Sequence, residues 1–276
     1  MQNAGLAALG LDWRYVAFDV DPADLAAALA GARAMKFLGL NLTVPHKLLA
    51  LDLMTVLDAS ARDFGAVNTV RFEGRNAAGE WVSLAALPPD YAGETRTQGF
   101  NTDAEAISRA LREDLGLELK GASVLLLGAG GAGRVAALKL AAEGVRELYL
   151  VNRTADKAAA IAAEIIRRHP GVKAIVGYPA TAVDLILNAT SLGLKVDDAL
   201  PFDAAKFKLS AARLAYDMIY RPAETPFLRA AQAAGCRVAN GIGMLLYQGA
   251  KALEIWSGRP APVEVMRRAL RQNVYG

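Results

Sequence analysis

The residues best placed by type and spacing to do chemistry are glycines. Leu125-Leu126-Leu127-Gly128-Ala129-Gly130-Gly131-Ala132-Gly133 runs an apolar strand into a glycine loop and then into a helix. Such a turn suits a pyrophosphate. Gly128 permits the tight turn, Gly130 lets the backbone approach the phosphates, and Gly133 lets the helix pack on the strand. The helix start offers unpaired amides and the positive end of its dipole. An ordinary strand-to-helix turn in an alanine-rich chain carries glycines too. The strand before, the helix after and a second strand at the right distance favour the dinucleotide reading. Gly128, Ala129, Gly130, Gly131 and Ala132 are therefore candidate cofactor contacts.

That second strand ends in Tyr149-Leu150-Val151-Asn152-Arg153-Thr154. An NAD-specific fold usually carries Asp or Glu here to bind the ribose 2′-hydroxyl. A carboxylate would repel the 2′-phosphate of NADP, whereas a guanidinium pairs with it bidentately. Asn152 is neutral, Arg153 is charged, and Lys157 lies one helical turn on. A solvated surface arginine would read the same in isolation; its position favours NADP over NAD.

Three polar segments stand outside this unit: Asn41-Leu42-Thr43-Val44-Pro45-His46-Lys47, Gly65-Ala66-Val67-Asn68-Thr69-Val70 and Gly99-Phe100-Asn101-Thr102-Asp103. Each alone reads as a strand end meeting a turn, with Asn and Thr satisfying backbone groups.

The surrounding pattern predicts the elements that hold these segments. Helices are expected over 3–9 and 23–32, the latter opened by Asp21-Pro22 and apolar on nearly every face, hence packed. Strands are expected over 14–20, 36–43 and 67–72, with a helix over 48–53 and an extended hairpin or loop over 73–97. A helix capped by Asn101 or Thr102 runs to Leu115 and ends at Gly116. Strands over 123–127, 148–152, 174–176, 185–188 and 214–218 alternate with helices over 131–142 and 155–169, which implies a parallel sheet. Helices over 226–234, 244–256 and 263–271 close the chain.

The 276 residues are 54% hydrophobic and 21% charged, the balance of a folded enzyme. The net charge of +3 is scattered, so no nucleic-acid footprint is expected. His46 and His169 lack a Cys/His cluster, which argues against a metal. No apolar run reaches membrane-spanning length, since Arg134 interrupts the longest. One cysteine, Cys236, leaves no internal disulfide and fits a reducing cytoplasm.

Taken together, the polar segments and the glycine loop resemble the shikimate dehydrogenase family. Its pattern N-V-T-x-P-x-K is matched at residues 41–47, with Leu42 for the usual Val. G-A-V-N-T is matched at 65–69 and N-T-D at 101–103. G-A-G-G-A, N-R-T and N-A-T-S-x-G follow at 128–132, 152–154 and 188–193. Asp217-Met218-Ile219-Tyr220-Arg221-Pro222, Thr225-Pro226, Asn240-Gly241-Ile242-Gly243-Met244-Leu245 and Gln248 complete a likeness that spans nearly the whole chain.

The resemblance implies an α/β enzyme of two domains that reversibly reduces 3-dehydroshikimate with NADPH, a step of aromatic amino acid biosynthesis. The substrate-binding domain would comprise residues 1–101 and 242–276. The Rossmann-type NADP-binding domain would span 102–241, with substrate between the two and hinges near Asn101 and Gly241. Lys47 would be the principal catalytic residue and Asp103 its partner. A neutral lysine accepts the hydroxyl proton; a charged one stabilises alkoxide character; the residues leave both roles open. Thr43, Asn68, Asp103, Tyr220 and Gln248 would bind the polyhydroxy ring. Met218 and Gly241 would lie beside the nicotinamide, and Asn152, Arg153, Thr154 and Lys157 at the adenosine end. The expected assembly is a monomer or homodimer.

The chain departs from the family at its front. Members begin with a strand and a segment S-P-x-M-[HQ]-N-A, whose two serines hold the substrate carboxylate. Met1-Gln2-Asn3-Ala4 matches only its tail. The expectation is a native start upstream of Met1, and weakened shikimate binding with NADP binding kept in the chain as it stands. Ala106 replaces a frequent Gly, and the insertion between Asn68 and Asp103 is expected as a surface loop. Two other functions share these features. One is a quinate/shikimate dehydrogenase using NAD or NADP; the other is a catalytically silent nucleotide-binding module, against which Lys47 and Asp103 together argue.

Overall fold

The computed structural model describes residues 1–276. Its chain divides into two units, Met1–Asp103 with Leu246–Asn273, and Ala104–Leu245 with Val274–Gly276.

The first unit opens with helix α1 (Gln2–Ala8). Asp21 then caps a 3-10 turn, its carboxylate accepting from the Ala23 amide, and α2 (Leu25–Ala34) follows. Strand β1 (Gly39–Asn41), helix α3 (His46–Leu49), strand β2 (Val56–Leu57) and helix α4 (Ala59–Phe64) precede β3 (Thr69–Arg75), β4 (Trp81–Ser83) and β5 (Thr95–Phe100). These strands form one mixed sheet in the order β1-β3-β5-β2, with β4 also paired to β3. Leu25, Leu29, Ala50, Ala61, Val67 and Val70 make its core, with Leu40, Leu42, Leu51, Met54 and Leu57 packed against them.

Three expectations here are corrected. Residues 14–20 form no strand, because an alternating pattern becomes a strand only where a neighbour takes its N–H and C=O groups. At Tyr15 the Asn3 carboxamide does this instead, donating to the carbonyl at 2.9 Å and accepting from the amide at 2.7 Å. Helix α2 buries only Leu25, Leu29 and Ala32; its other alanines are small enough to remain at the surface. The segment between Asn68 and Asp103 is sheet more than loop, with β4 and β5 both antiparallel to β3. Its outer residues interlock. Glu73 is buried between Arg71 and Arg96, and the Trp81 ring lies 4.3 Å from the guanidinium carbons of both Arg75 and Arg96.

Helix α5 (Asp103–Leu115) starts where Asn101 Oδ1 accepts from the Asp103 amide at 3.0 Å and ends at Gly116, φ +61°. The second unit then alternates: β6 (Ser123–Leu127), α6 (Gly131–Ala142), β7 (Glu147–Val151), α7 (Ala155–Arg168), β8 (Lys173–Val176), β9 (Val183–Asn188), β10 (Ala212–Asp217), α8 (Pro226–Ala233) and β11 (Arg237–Asn240). All neighbouring strands are parallel, in the order β8-β7-β6-β9-β10-β11. Counted within the unit this is 3-2-1-4-5-6, the Rossmann order, whose switch point between β6 and β9 is where such folds bind ligands. Strand β11 has no counterpart in the sequence reading: four residues on a sheet edge, none fully buried, leave little hydrophobic signature. Helices α9 (Ile242–Ser257) and α10 (Val263–Tyr275) complete the chain.

Candidate active site

The glycine loop has the geometry that its composition calls for. Gly128 has φ +104°, and a Cβ there would lie 2.9 Å from the backbone carbon and oxygen of Ala189. A Cβ on Gly133 would lie 2.1 Å from the Gly128 carbonyl oxygen, so only glycine lets α6 start this close to the turn. Gly130 and Gly131 have nothing within 4 Å of a Cβ position, and no side chain caps α6. Tight backbone thus frames an open, amide-lined helix start that fits an anion.

Asn152 braces this loop from the end of β7. Its Oδ1 accepts from the Ala129 amide at 3.0 Å and its Nδ2 donates to the Thr154 carbonyl at 2.8 Å. Arg153, Thr154 and Lys157 are exposed beside it. Across the switch point, Gly241 lies flat on Met218: a Cβ there would be 2.1 Å from the Met218 carbonyl oxygen. Tyr220 is exposed in the same unit, its carbonyl accepting from the Tyr275 hydroxyl at 2.7 Å.

One buried cluster escaped sequence reasoning. Asp217, at the end of β10, accepts from the Thr225 hydroxyl at 2.6 Å, the Ile219 amide at 3.0 Å and Asn188 Nδ2 at 3.0 Å. Burial pushes its carboxyl up to about 6, against these hydrogen bonds. Asn188 also accepts from Thr190, so one network fixes the turns after β9 and β10, the second of which carries Met218. Its members were visible as motif letters, but only their convergence reveals a shared task.

In the first unit the three polar segments come together. Lys47 Nζ donates to Asp103 Oδ2 at 2.6 Å, a charge-assisted bond in which the lysine side chain is 27% and the carboxylate 13% exposed. The Lys47 carbonyl accepts from the Val67 amide at 2.9 Å. Asn68 is the hub between the other two segments. Its amide donates to the Phe100 carbonyl, and its carbonyl accepts from the Leu42 amide. Its side chain is buried, with Oδ1 accepting from the Thr102 amide at 2.9 Å and Nδ2 donating to the Thr102 hydroxyl at 3.0 Å. Thr43 is exposed on the turn before α3, and Gln248 is half-buried on α9.

Comparison with known proteins then decides the family. Residues 1–70 match the shikimate dehydrogenase substrate binding domain, 110–197 the shikimate/quinate 5-dehydrogenase model and 241–271 the shikimate 5'-dehydrogenase C-terminal domain. A shikimate dehydrogenase (NADP(+)) of Methanopyrus kandleri is 38% identical over 282 residues, covering 99% of this chain and 90% of the relative. The chain belongs to the shikimate dehydrogenase family. Among solved family structures, the shikimate 5-dehydrogenase of Thermus thermophilus in complex with NADP(H) and shikimate is 35% identical. It superposes with a TM-score of 0.78, covering 98% of this chain and 92% of that one. A 5-ketofructose reductase of Gluconobacter sp. strain CHM43 is also similar, at 33% identity and a TM-score of 0.79, covering 99% and 92%.

Proposed function

We infer that this protein is an NADP-dependent shikimate dehydrogenase, interconverting 3-dehydroshikimate and shikimate. The observation that carries the reading is the Lys47–Asp103 contact, an ion pair formed by two residues 56 positions apart. Membership of a family whose relatives carry that activity names the reaction.

The second unit is assigned to NADP. The open amides at Gly130, Gly131 and Ala132 suit the pyrophosphate, and exposed Arg153 and Lys157 suit the 2′-phosphate. Gly128 and Ala129 shape the turn, Asn152 and Thr154 hold its far side, and Met218 and Gly241 are assigned to the nicotinamide end. When bound, the coenzyme supplies or accepts the hydride.

The first unit is assigned to substrate. Thr43, Asn68 and Gln248 offer hydroxyl and amide groups to a polyhydroxy ring. Lys47, held by Asp103, acts on the reacting oxygen. As the carbonyl is reduced, negative charge gathers on that oxygen, and an ammonium beside it stabilises the charge and delivers a proton from Nζ. In the reverse direction the neutral amine takes the hydroxyl proton at the same atom. Asp103 orients Nζ through the charge-assisted hydrogen bond that it accepts.

The test is formation of NADPH from shikimate and NADP by the purified protein, run beside NAD and quinate. Absence of turnover with shikimate and NADP would overturn the reading.

A further inference from the structure

Tyr15 lies in the segment that forms no strand, yet it is held on three sides. Asn3 brackets its backbone. Its ring lies 6.1 Å from that of Trp256, whose indole donates to the Val70 carbonyl at 2.9 Å. Its hydroxyl donates to Asn41 Oδ1 at 3.0 Å. Partial burial pushes the phenol up from its ordinary value.

That donation has a direction, and the direction propagates. With Oδ1 turned to Tyr15, Asn41 presents Nδ2 to the Asn68 carbonyl at 3.2 Å and the Thr69 hydroxyl oxygen at 3.0 Å. The Thr69 hydroxyl, now an acceptor on one side, donates on the other to Asn68 Oδ1 at 3.0 Å. The same Oδ1 of Asn68 accepts from the Thr102 amide, and its Nδ2 donates to the Thr102 hydroxyl. A flipped Asn68 would set its NH₂ against the Thr102 amide, immediately before Asp103. The Val67 amide, immediately before Asn68, holds the Lys47 carbonyl. The chain thus ends on the backbone next to both members of the ion pair.

We propose that Tyr15 is a positioning residue for the Lys47–Asp103 pair, acting through Asn41, Thr69 and Asn68. The proposal rests on the catalytic assignment of that pair. Removing only the hydroxyl leaves the ring on Trp256 but takes from Asn41 the donor that braces its Oδ1, so the carboxamide is held from its Nδ2 side only. A neutral hydrogen bond sets the scale, so Tyr15→Phe should lower kcat for shikimate oxidation about fivefold, with the dissociation constant for NADP unchanged. Because the effect passes through Asn41, Tyr15→Phe added to Asn41→Ala should lower kcat no further.

The experiment is a double-mutant cycle on kcat and on both Michaelis constants, with NADP binding and thermal melting followed for each variant and Lys47→Ala alongside. A non-additive cycle with the loss in kcat supports the proposal. Wild-type kcat in Tyr15→Phe while Lys47→Ala is inactive would overturn it alone. So would strict additivity, or a loss of NADP affinity that tracks a lowered melting temperature. Absence of turnover in the unaltered protein would overturn the positioning role and the functional reading together.

Discussion

Asn152 Oδ1 sits 3.0 Å from the amide nitrogen of Ala129, so the end of β7 and the glycine loop after β6 are fastened by one side chain. The two residues of the Asn152-Arg153 dipeptide consequently divide the work. Asn152 is engaged on both its amide atoms, and Arg153 is left exposed.

Arg153→Ala combined with Lys157→Ala should therefore raise the Michaelis constant for NADP by roughly 10- to 100-fold, the loss expected for charged hydrogen bonds to a phosphate. The constant for NAD, which has no 2′-phosphate, should hardly move. Steady-state kinetics with both coenzymes measures the ratio. Equal losses for the two would show that Arg153 does not read the phosphate.

Gly131 and Gly133 differ by two positions and should differ in kind. Gly133→Ala forces a methyl to within 2.1 Å of the Gly128 carbonyl oxygen, and overpacking of this sort costs about 1–3 kcal/mol. Gly131→Ala meets nothing within 4 Å and should leave stability unchanged while weakening NADP, because the methyl occupies the space assigned to phosphate. Urea unfolding and coenzyme titration of both variants separate the cases.

The second unit was the more legible half of the sequence because its signals are local. A buried parallel strand such as Ser123–Leu127 is a continuous apolar run, and the glycine loop follows it directly, with Gly133 set by the Gly128 carbonyl five residues back. The first unit was harder. Residues 14–20 alternate correctly but lack a partner, which no local pattern reveals. Lys47 and Asp103 carried meaning only through their surrounding motifs. The role of Asn68 as a hub, and the Asp217 cluster, depend on residues brought together across long stretches of chain, which spacing cannot encode.

Asp217 should leave a signature in the pH dependence of stability. Its carboxyl titrates near 6 in the folded protein against an ordinary value of 3.8, so the folded state holds the proton more tightly than the unfolded one. Stability from this group is present below the unfolded value and is lost as pH rises through the folded one, by roughly 2–3 kcal/mol in all. Glu143, Glu164 and Asp58, whose carboxyls are lowered, contribute the opposite trend, so the comparison must be with a variant. Asp217→Asn should remove the decline: between pH 4 and 7 its stability relative to the unaltered protein should rise. Urea midpoints across that range test this, and parallel profiles would rule out the raised carboxyl.

Lys47 and Asp103 should fail differently when changed. Lys47→Ala removes the group assigned to the reacting oxygen, and loss of a general acid–base residue costs roughly 10²- to 10⁴-fold in kcat. Asp103→Asn keeps an oxygen to accept from Nζ but replaces a charge-assisted hydrogen bond by a neutral one, so the lysine is held less firmly. Its loss should be smaller, roughly 10-fold in kcat, the scale of one charge-assisted hydrogen bond. Kinetics of the two variants, with NADP affinity measured separately, decides the matter. A loss in Asp103→Asn as large as that in Lys47→Ala would mean that the carboxylate does more than orient the lysine.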